Sequence, residues 1–373
     1  MHPPFMGCPL KIMTMSKHSA LPRHLQVLLA GVSRSFGLSI RLLPAQVRPA
    51  ISLAYLLARI SDTLADAPDV PVATRQQALQ AWLDAVATPL ETERNSHTHT
   101  WPTLLAPYQH AGLPNAELAL LEQGKACLRL LAQMPGQDQD TIRRVMEPIG
   151  QGQLMDLQRG LQAMAPMNSE EELDNYTWQV AGCVGRFWTE CLQNHLPTTL
   201  QLPAAEMHTL GKHYGCGLQR LNILLDAAQD LRSGRCYFPV QSLQTLELAP
   251  QQLQQASMDN DAIVLHQLMP LQTHWFDQVE HALRDGLRYS CALDNWRLRL
   301  ASALPALVGA ASLRLLRQQP TASLSQRLKW PRKALQKHLL MLVLQGASRK
   351  AVQHHFEQLL QANSPAHSAT IAP

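Results

Sequence analysis

The stretch "LNILLDAAQDLRSGRCYFP", residues 221–239, sets Asn222, Asp226 and Asp230 at intervals of four within a leucine-rich run. On a helix, positions i, i+4 and i+8 share nearly one face, so the three oxygen donors form a column about two turns long. Carboxylates beside an apolar run are costly to bury without a counter-charge. A hard cation held together with substrate phosphates, Mg2+ above all, supplies one. The ordinary alternative is a solvated helix face.

Outward from this column, Leu, Ala and Gln dominate, aromatic residues make up only 5%, and apolar positions recur every three or four residues from residue 20 onward. That period predicts an all-α fold. Proline and polar clusters cut the chain into helix-length pieces at 43–50, 88–102, 134–139, 164–172 and 196–206, none with the look of a domain linker. The expected organisation is one domain over 21–362, after a loose leader at 1–20 and before a frayed tail at 363–373. Small residues at Gly211, Gly215 and Gly217, and at Ala301, Ala303, Gly309 and Ala310, predict closely packed helices or a cavity between them.

Composition narrows the function. With 373 residues and 46% apolar content the chain builds a sizeable core. A net charge of only +4, without a long basic run, argues against a nucleic-acid partner. Seven cysteines with no CxxC pair argue against a disulfide framework or a zinc site and fit reduced thiols in a cytoplasm. Residues 1–20 lack the apolar stretch of a secretory signal. No window reaches the roughly 18–20 apolar residues that span a bilayer, the nearest being "LASALPALVGAASLRLL". The basic, amphipathic segment 328–360 is expected to pack on the body; peripheral contact with the inner face of an anionic membrane is its sharper reading. The sixteen scattered histidines suggest no metal site.

A second acidic pair repeats the logic of the first. In "YLLARISDTLADA", residues 55–67, Asp62 and Asp66 are four apart and Arg59 lies nearly one turn before Asp62. A local ion pair explains one such cluster. Two, each on an apolar helix, can face each other across a cleft and hold Mg2+ ions through shared diphosphate oxygens. That clamp suits loss of diphosphate from an allylic carbon, and the cation left behind needs a dry cavity.

Four stretches in order, "VSRSFGLSIRLLP" (32–44), "YLLARISDTLAD" (55–66), "YTWQVAGCVGRFWTECL" (176–192) and "LQRLNILLDAAQDLRSGRCYFP" (218–239), resemble the squalene/phytoene synthase family. The phrases "VAGCVG" and "SGRCYFP" resemble its bacterial squalene synthases in particular. The resemblance implies an isoprenoid synthase fold around a central cavity, prenyl diphosphate substrates, Mg2+, and head-to-head joining of two farnesyl diphosphates through presqualene diphosphate, followed by reduction to squalene with NADPH. It implies that Asp62, Asp66, Asn222, Asp226 and Asp230 hold metal. Ser33, Arg34, Ser35, Phe36, Tyr55, Arg59, Gln219 and Arg235 then contact substrate, and Tyr176 serves proton transfer.

Three positions depart from the family pattern. Leu225 stands where Arg is usual and Gln229 where Glu is common, with Arg220 and Arg232 as nearby cations. Ala301 stands where squalene synthases often carry an aromatic. The rival outcomes are therefore phytoene or dehydrosqualene synthesis, arrest at presqualene diphosphate, or a non-catalytic lipid-binding or assembly factor. Gln153 and Asp156, in "GQGQLMDLQRG", are explained equally well as cavity-lining groups or as capping and surface hydrogen bonds.

Overall fold

The computed structural model describes residues 21–33, 36–88, 96–161, 164–328, 338 and 340–361. The expected leader and tail, Arg34 and Ser35 lie outside the described residues, and Phe36 is described only as the start of a helix. In chain order the helices are α1 (Arg23–Val32), α2 (Phe36–Leu42), α3 (Arg48–Ala65), α4 (Val72–Ala87), α5 (Ser96–Leu105) and α6 (Asn115–Glu122). Then come α7 (Gly124–Gln133), α8 (Gly136–Arg159), α9 (Glu170–Thr177), α10 (Cys183–His195), α11 (Ala204–Arg232) and α12 (Val240–Thr245). The series continues with α13 (Pro250–Asp259), α14 (Ala262–Gln267), α15 (Met269–Cys291), α16 (Trp296–Gln318), α17 (Pro320–Ser325) and α18 (Arg349–Gln361). Among the described residues there is no β-strand; Leu200 and Leu293 form an isolated antiparallel bridge. The all-α expectation holds.

Proline sets many of the helix starts. Pro22, Pro71, Pro114, Pro135 and Pro203 stand directly before α1, α4, α6, α8 and α11, each in an extended conformation that cannot continue a preceding helix. The expected break over 88–102 is too long, because α5 begins at Ser96 and carries Pro102 inside it. Packing overrides the local signal there: the Trp101 ring lies 5.0 Å from that of Trp82 and its indole N–H donates to the carbonyl of Leu121.

Two large apolar clusters carry the fold. One gathers α1, α3, α4, α7, α8 and α10 around residues such as Leu53, Leu57 and Trp82. The other gathers the second half of α11 with α15, α16, α17 and α18 around Leu224, Trp275 and Phe356. Where α10 crosses α11, glycine is required. A Cβ on Gly185 would lie 1.9 Å from the Gly211 carbonyl oxygen, and one on Gly215 would lie 2.4 Å from that of Ala181. The small residues noted in the sequence thus serve close helix approach.

The expectation about apolar windows needs correction. Helix α16 is long and apolar enough by composition to cross a bilayer, yet 78% of its apolar window is buried inside the protein. Of the basic C-terminal segment, α18 packs on α15 and α16 through Val352, Phe356 and Leu359. Residues 329–337 lie outside the description.

Candidate active site

Helices α3, α8 and α11 aim their C-terminal ends at one cavity of about 1090 Å3. A helix C-terminus carries partial negative charge, which favours cations and penalises carboxylates. This chain nevertheless puts carboxylates at all three ends. Asp62 sits in the last turn of α3 and Asp66 at its cap, Asp156 in the last turn of α8, and Asp226 and Asp230 in the last two turns of α11. All five line the cavity, together with Arg59, Arg75, Arg235 and Arg327.

The oxygen columns seen in the sequence therefore meet. Asn222, Asp226 and Asp230 face the same space as Asp62 and Asp66, and Gln219, Gln229, Tyr55 and Tyr176 share the wall. Four predicted contacts fall elsewhere or out of view. Ser33 is buried, its hydroxyl donates to the Leu29 carbonyl at 2.5 Å, and it is not among the lining residues. Arg34, Ser35 and the side chain of Phe36 are outside the described set. Tyr55 donates to the carbonyl of Val32 at 3.3 Å.

On the α3 side, Arg59 bridges Asp62 at 3.0 Å and Glu117 at 2.5 Å, and the Gln153 amide donates to the other Asp62 oxygen at 3.1 Å. Arg75 donates to the carbonyl of Ala65 at 2.8 Å and so caps α3 beside Asp66. On the α11 side, Arg235 pairs with Asp230 at 3.0 Å and Arg327 with Asp226 at 3.3 Å. Burial raises the pKa of Asp62, with Asp66 adding to the rise and Arg59 opposing it. Burial likewise raises Asp66 against the pull of Arg235, and lifts Asp230 to about 6. The partners present thus leave these carboxylates short of positive charge.

That deficit is what a hard cation corrects. Among the described residues no three Asp, Glu, His or Cys groups close around a single point as a ready metal cage. Mg2+ does not need one, since it keeps several waters and binds through one or two carboxylates plus phosphate oxygens. Asp62 and Asp66 from one wall and Asn222, Asp226 and Asp230 from the other form an all-oxygen donor set of that kind.

Asp156 is the residue whose importance the sequence understates. Its carboxylate accepts the hydroxyl of Tyr176 at 2.6 Å and that of Tyr237 at 3.3 Å, and the two rings stack with centroids 5.5 Å apart. Burial raises Asp156, while both phenols, Arg159 and Arg235 work against the rise. Tyr176 is held well above the ordinary phenol range, first by burial and then by the charge of Asp156. Directly after it, Trp178–Gly182 forms a single π-helical turn that brings Val180 to the cavity wall. Ala58, Ile149, Leu157, Val184 and Ile223 add apolar side chains to a wall that also carries Gln153 and Ser233.

The two cations near Leu225 in sequence are engaged elsewhere. Arg220 is buried, pairs with Glu170 and Asp174, and lies over the Trp275 ring, so it braces α9 against α11. Arg232 donates to the carbonyl of Ser325. Neither lines the cavity.

A model of the squalene/phytoene synthase family matches residues 29–334. The chain belongs to the squalene/phytoene synthase family. It is 27% identical over 60% of its length to a bifunctional lycopene cyclase/phytoene synthase of Colletotrichum graminicola, of which the match covers 35%. It is 29% identical over 56% of its length to a presqualene diphosphate synthase of Rhodopseudomonas palustris, of which the match covers 59%. The matches thus span less than two thirds of these relatives. The fold matches a solved TcSQS complex with the ligand BPH1237 at a TM-score of 0.70 and 19% identity, covering 92% of this chain and 93% of that one.

Proposed function

We propose that this chain joins two farnesyl diphosphates head to head to give presqualene diphosphate. The observation that carries the reading is the meeting of three acidic helix ends at one cavity, beside a carboxylate-bound tyrosine and a group of apolar side chains. At about 1090 Å3 the cavity slightly exceeds the roughly 300–1,000 Å3 usual for small-molecule sites, room that suits two prenyl chains.

Bound Mg2+ would neutralise the charge that gathers on the departing diphosphate. Arg59 and Arg235, already beside Asp62 and Asp230, stand where their guanidiniums can bind its oxygens. Ala58, Ile149, Val180, Val184 and Ile223 keep water from the allylic cation.

Closing the cyclopropane ring breaks a C–H bond and releases one proton. A neutral phenol is a weak base by itself. Tyr176, however, already gives its hydroxyl hydrogen to Asp156, so its oxygen can take the substrate proton as its own proton passes to Asp156. The raised pKa of Asp156 suits it to receive one.

Reduction to squalene needs a hydride donor, for which NADPH is the reductant expected from the resemblance. Ala301, standing where an aromatic is often found, is buried in the apolar core and does not reach the cavity. The reading therefore stops at presqualene diphosphate. Incubation of the purified protein with Mg2+ and farnesyl or geranylgeranyl diphosphate, with and without NADPH, tests it. Presqualene diphosphate from the farnesyl substrate, unchanged by NADPH, is expected. Hydrocarbon that forms only with NADPH extends the reading to squalene synthesis, a C40 product replaces it with phytoene-type chemistry, and tight substrate binding without any product leaves a lipid-binding protein.

A further inference from the structure

We propose that Arg327 supplies the diphosphate-binding guanidinium that position 225 lacks, an inference that rests on the function proposed above. Leu225 is partly buried and packs against the second apolar cluster, and it is absent from the cavity wall. The charge is therefore not replaced in place. It arrives from 102 residues downstream: Arg327 lines the cavity and reaches the Asp226 carboxylate at 3.3 Å.

The two guanidiniums on α11 itself are committed. Arg220 is locked between Glu170, Asp174 and Trp275, and Arg232 is spent on a carbonyl. That carbonyl belongs to Ser325, two residues before Arg327. The Ser257 hydroxyl holds the carbonyl of Leu324 at 2.6 Å, and the Gln272 amide holds that of Pro320 at 3.2 Å. Helix α17 is thus pinned by three other helices, which fixes the point from which the Arg327 side chain starts. The side chain itself is 60% exposed and its partner 42% exposed. An ion pair this open contributes little stability, so Arg327 can leave Asp226 at small cost.

The geometry gives Arg327 two roles of opposite sign. With the cavity empty of ligand it competes with Mg2+ for an Asp226 oxygen. With diphosphate and metal present, Asp226 turns to the metal and Arg327 to a phosphate oxygen, for which its planar fork is suited.

The test measures binding to the full chain by calorimetry, first of Mg2+ alone and then of inorganic pyrophosphate at saturating Mg2+. Arg327→Gln is expected to weaken pyrophosphate about ten- to a hundredfold, the range for losing one charged hydrogen bond, while leaving Mg2+ alone bound as tightly or more tightly. Arg327→Lys retains the charge and is expected to recover most of the pyrophosphate affinity. Unchanged pyrophosphate affinity in Arg327→Gln overturns the proposal, and so does parallel weakening of both ligands, which marks a structural ion pair. Wild-type protein that binds no pyrophosphate at any Mg2+ concentration overturns the function proposed above instead.

Discussion

Burial lifts Asp230 to a pKa of about 6, against roughly 3.9 for a free aspartate. The folded state then holds the proton more tightly than the unfolded chain does. Between about pH 4 and 6 this group's contribution to stability falls as pH rises. Asp230→Asn removes that loss, so the melting temperature of the variant relative to wild type, measured without metal, is expected to climb through this window and level off above it. A difference that stays flat from pH 4 to 7 refutes the assigned cost of burial. Asp156 makes a different prediction at the same scale. Asp156→Asn retains the shape but cannot take the Tyr176 proton, so coupling turnover is expected to fall about 10²- to 10⁴-fold, the usual weight of a general base. Circular dichroism should report an unchanged fold. Asp226→Ala is expected to abolish turnover for another reason: it removes a proposed metal ligand that is half-exposed and bears no packing load. Wild-type rates in Asp226→Ala would take that residue out of the site.

Helix ends explain how much of the site could be read before folding. Asp62 with Asp66, and Asn222 with Asp226 and Asp230, are neighbours within single helices, so spacing alone put each group on one face. What brings the two groups together is the crossing of distant helices, which spacing does not encode. Asp156 was ambiguous for that reason, since its partners Tyr176 and Tyr237 come from 20 and 81 residues away. The role of Arg220 was open for the same reason: it sits close to Asn222 in sequence but spends its charge on acids of α9. The crossing of α10 and α11 was legible only as a run of glycines, and it permits a clean comparison. A methyl group on Gly185 meets the Gly211 carbonyl at 1.9 Å, whereas one on Gly136 meets nothing within 4 Å. Gly185→Ala is expected to cost about 3 kcal/mol, the upper range for overpacking. Gly136→Ala is expected to be neutral or stabilising by about 0.5 kcal/mol. Urea unfolding of the two variants checks both, and equal midpoints would mean that the two helices do not cross where they do here.

The candidate site also lies between the two halves of the core. Helix α3 belongs to the first apolar cluster, while the second half of α11 and Tyr176 and Tyr237 belong to the second. Five carboxylates repel one another across that boundary in the absence of ligand, opposed in part by the guanidiniums of Arg59, Arg75, Arg235 and Arg327 that line the same cavity. A magnesium–diphosphate assembly held from both walls would reverse the sign of that interaction and couple the halves. Inorganic pyrophosphate with Mg2+ at about 100 times its Kd should stabilise the protein by about 2.7 kcal/mol. With an unfolding entropy of about 2.1 cal/mol/K per residue, a chain this long gains about 3 °C in Tm. The gain should have a distribution as well as a size. Hydrogen exchange is expected to slow together around residues 59–66 and 222–235, because a bridging ligand cannot order one wall without the other. Protection confined to a single helix, at full occupancy, would mean that the ligand sits on one acidic column and that the two do not act as a clamp.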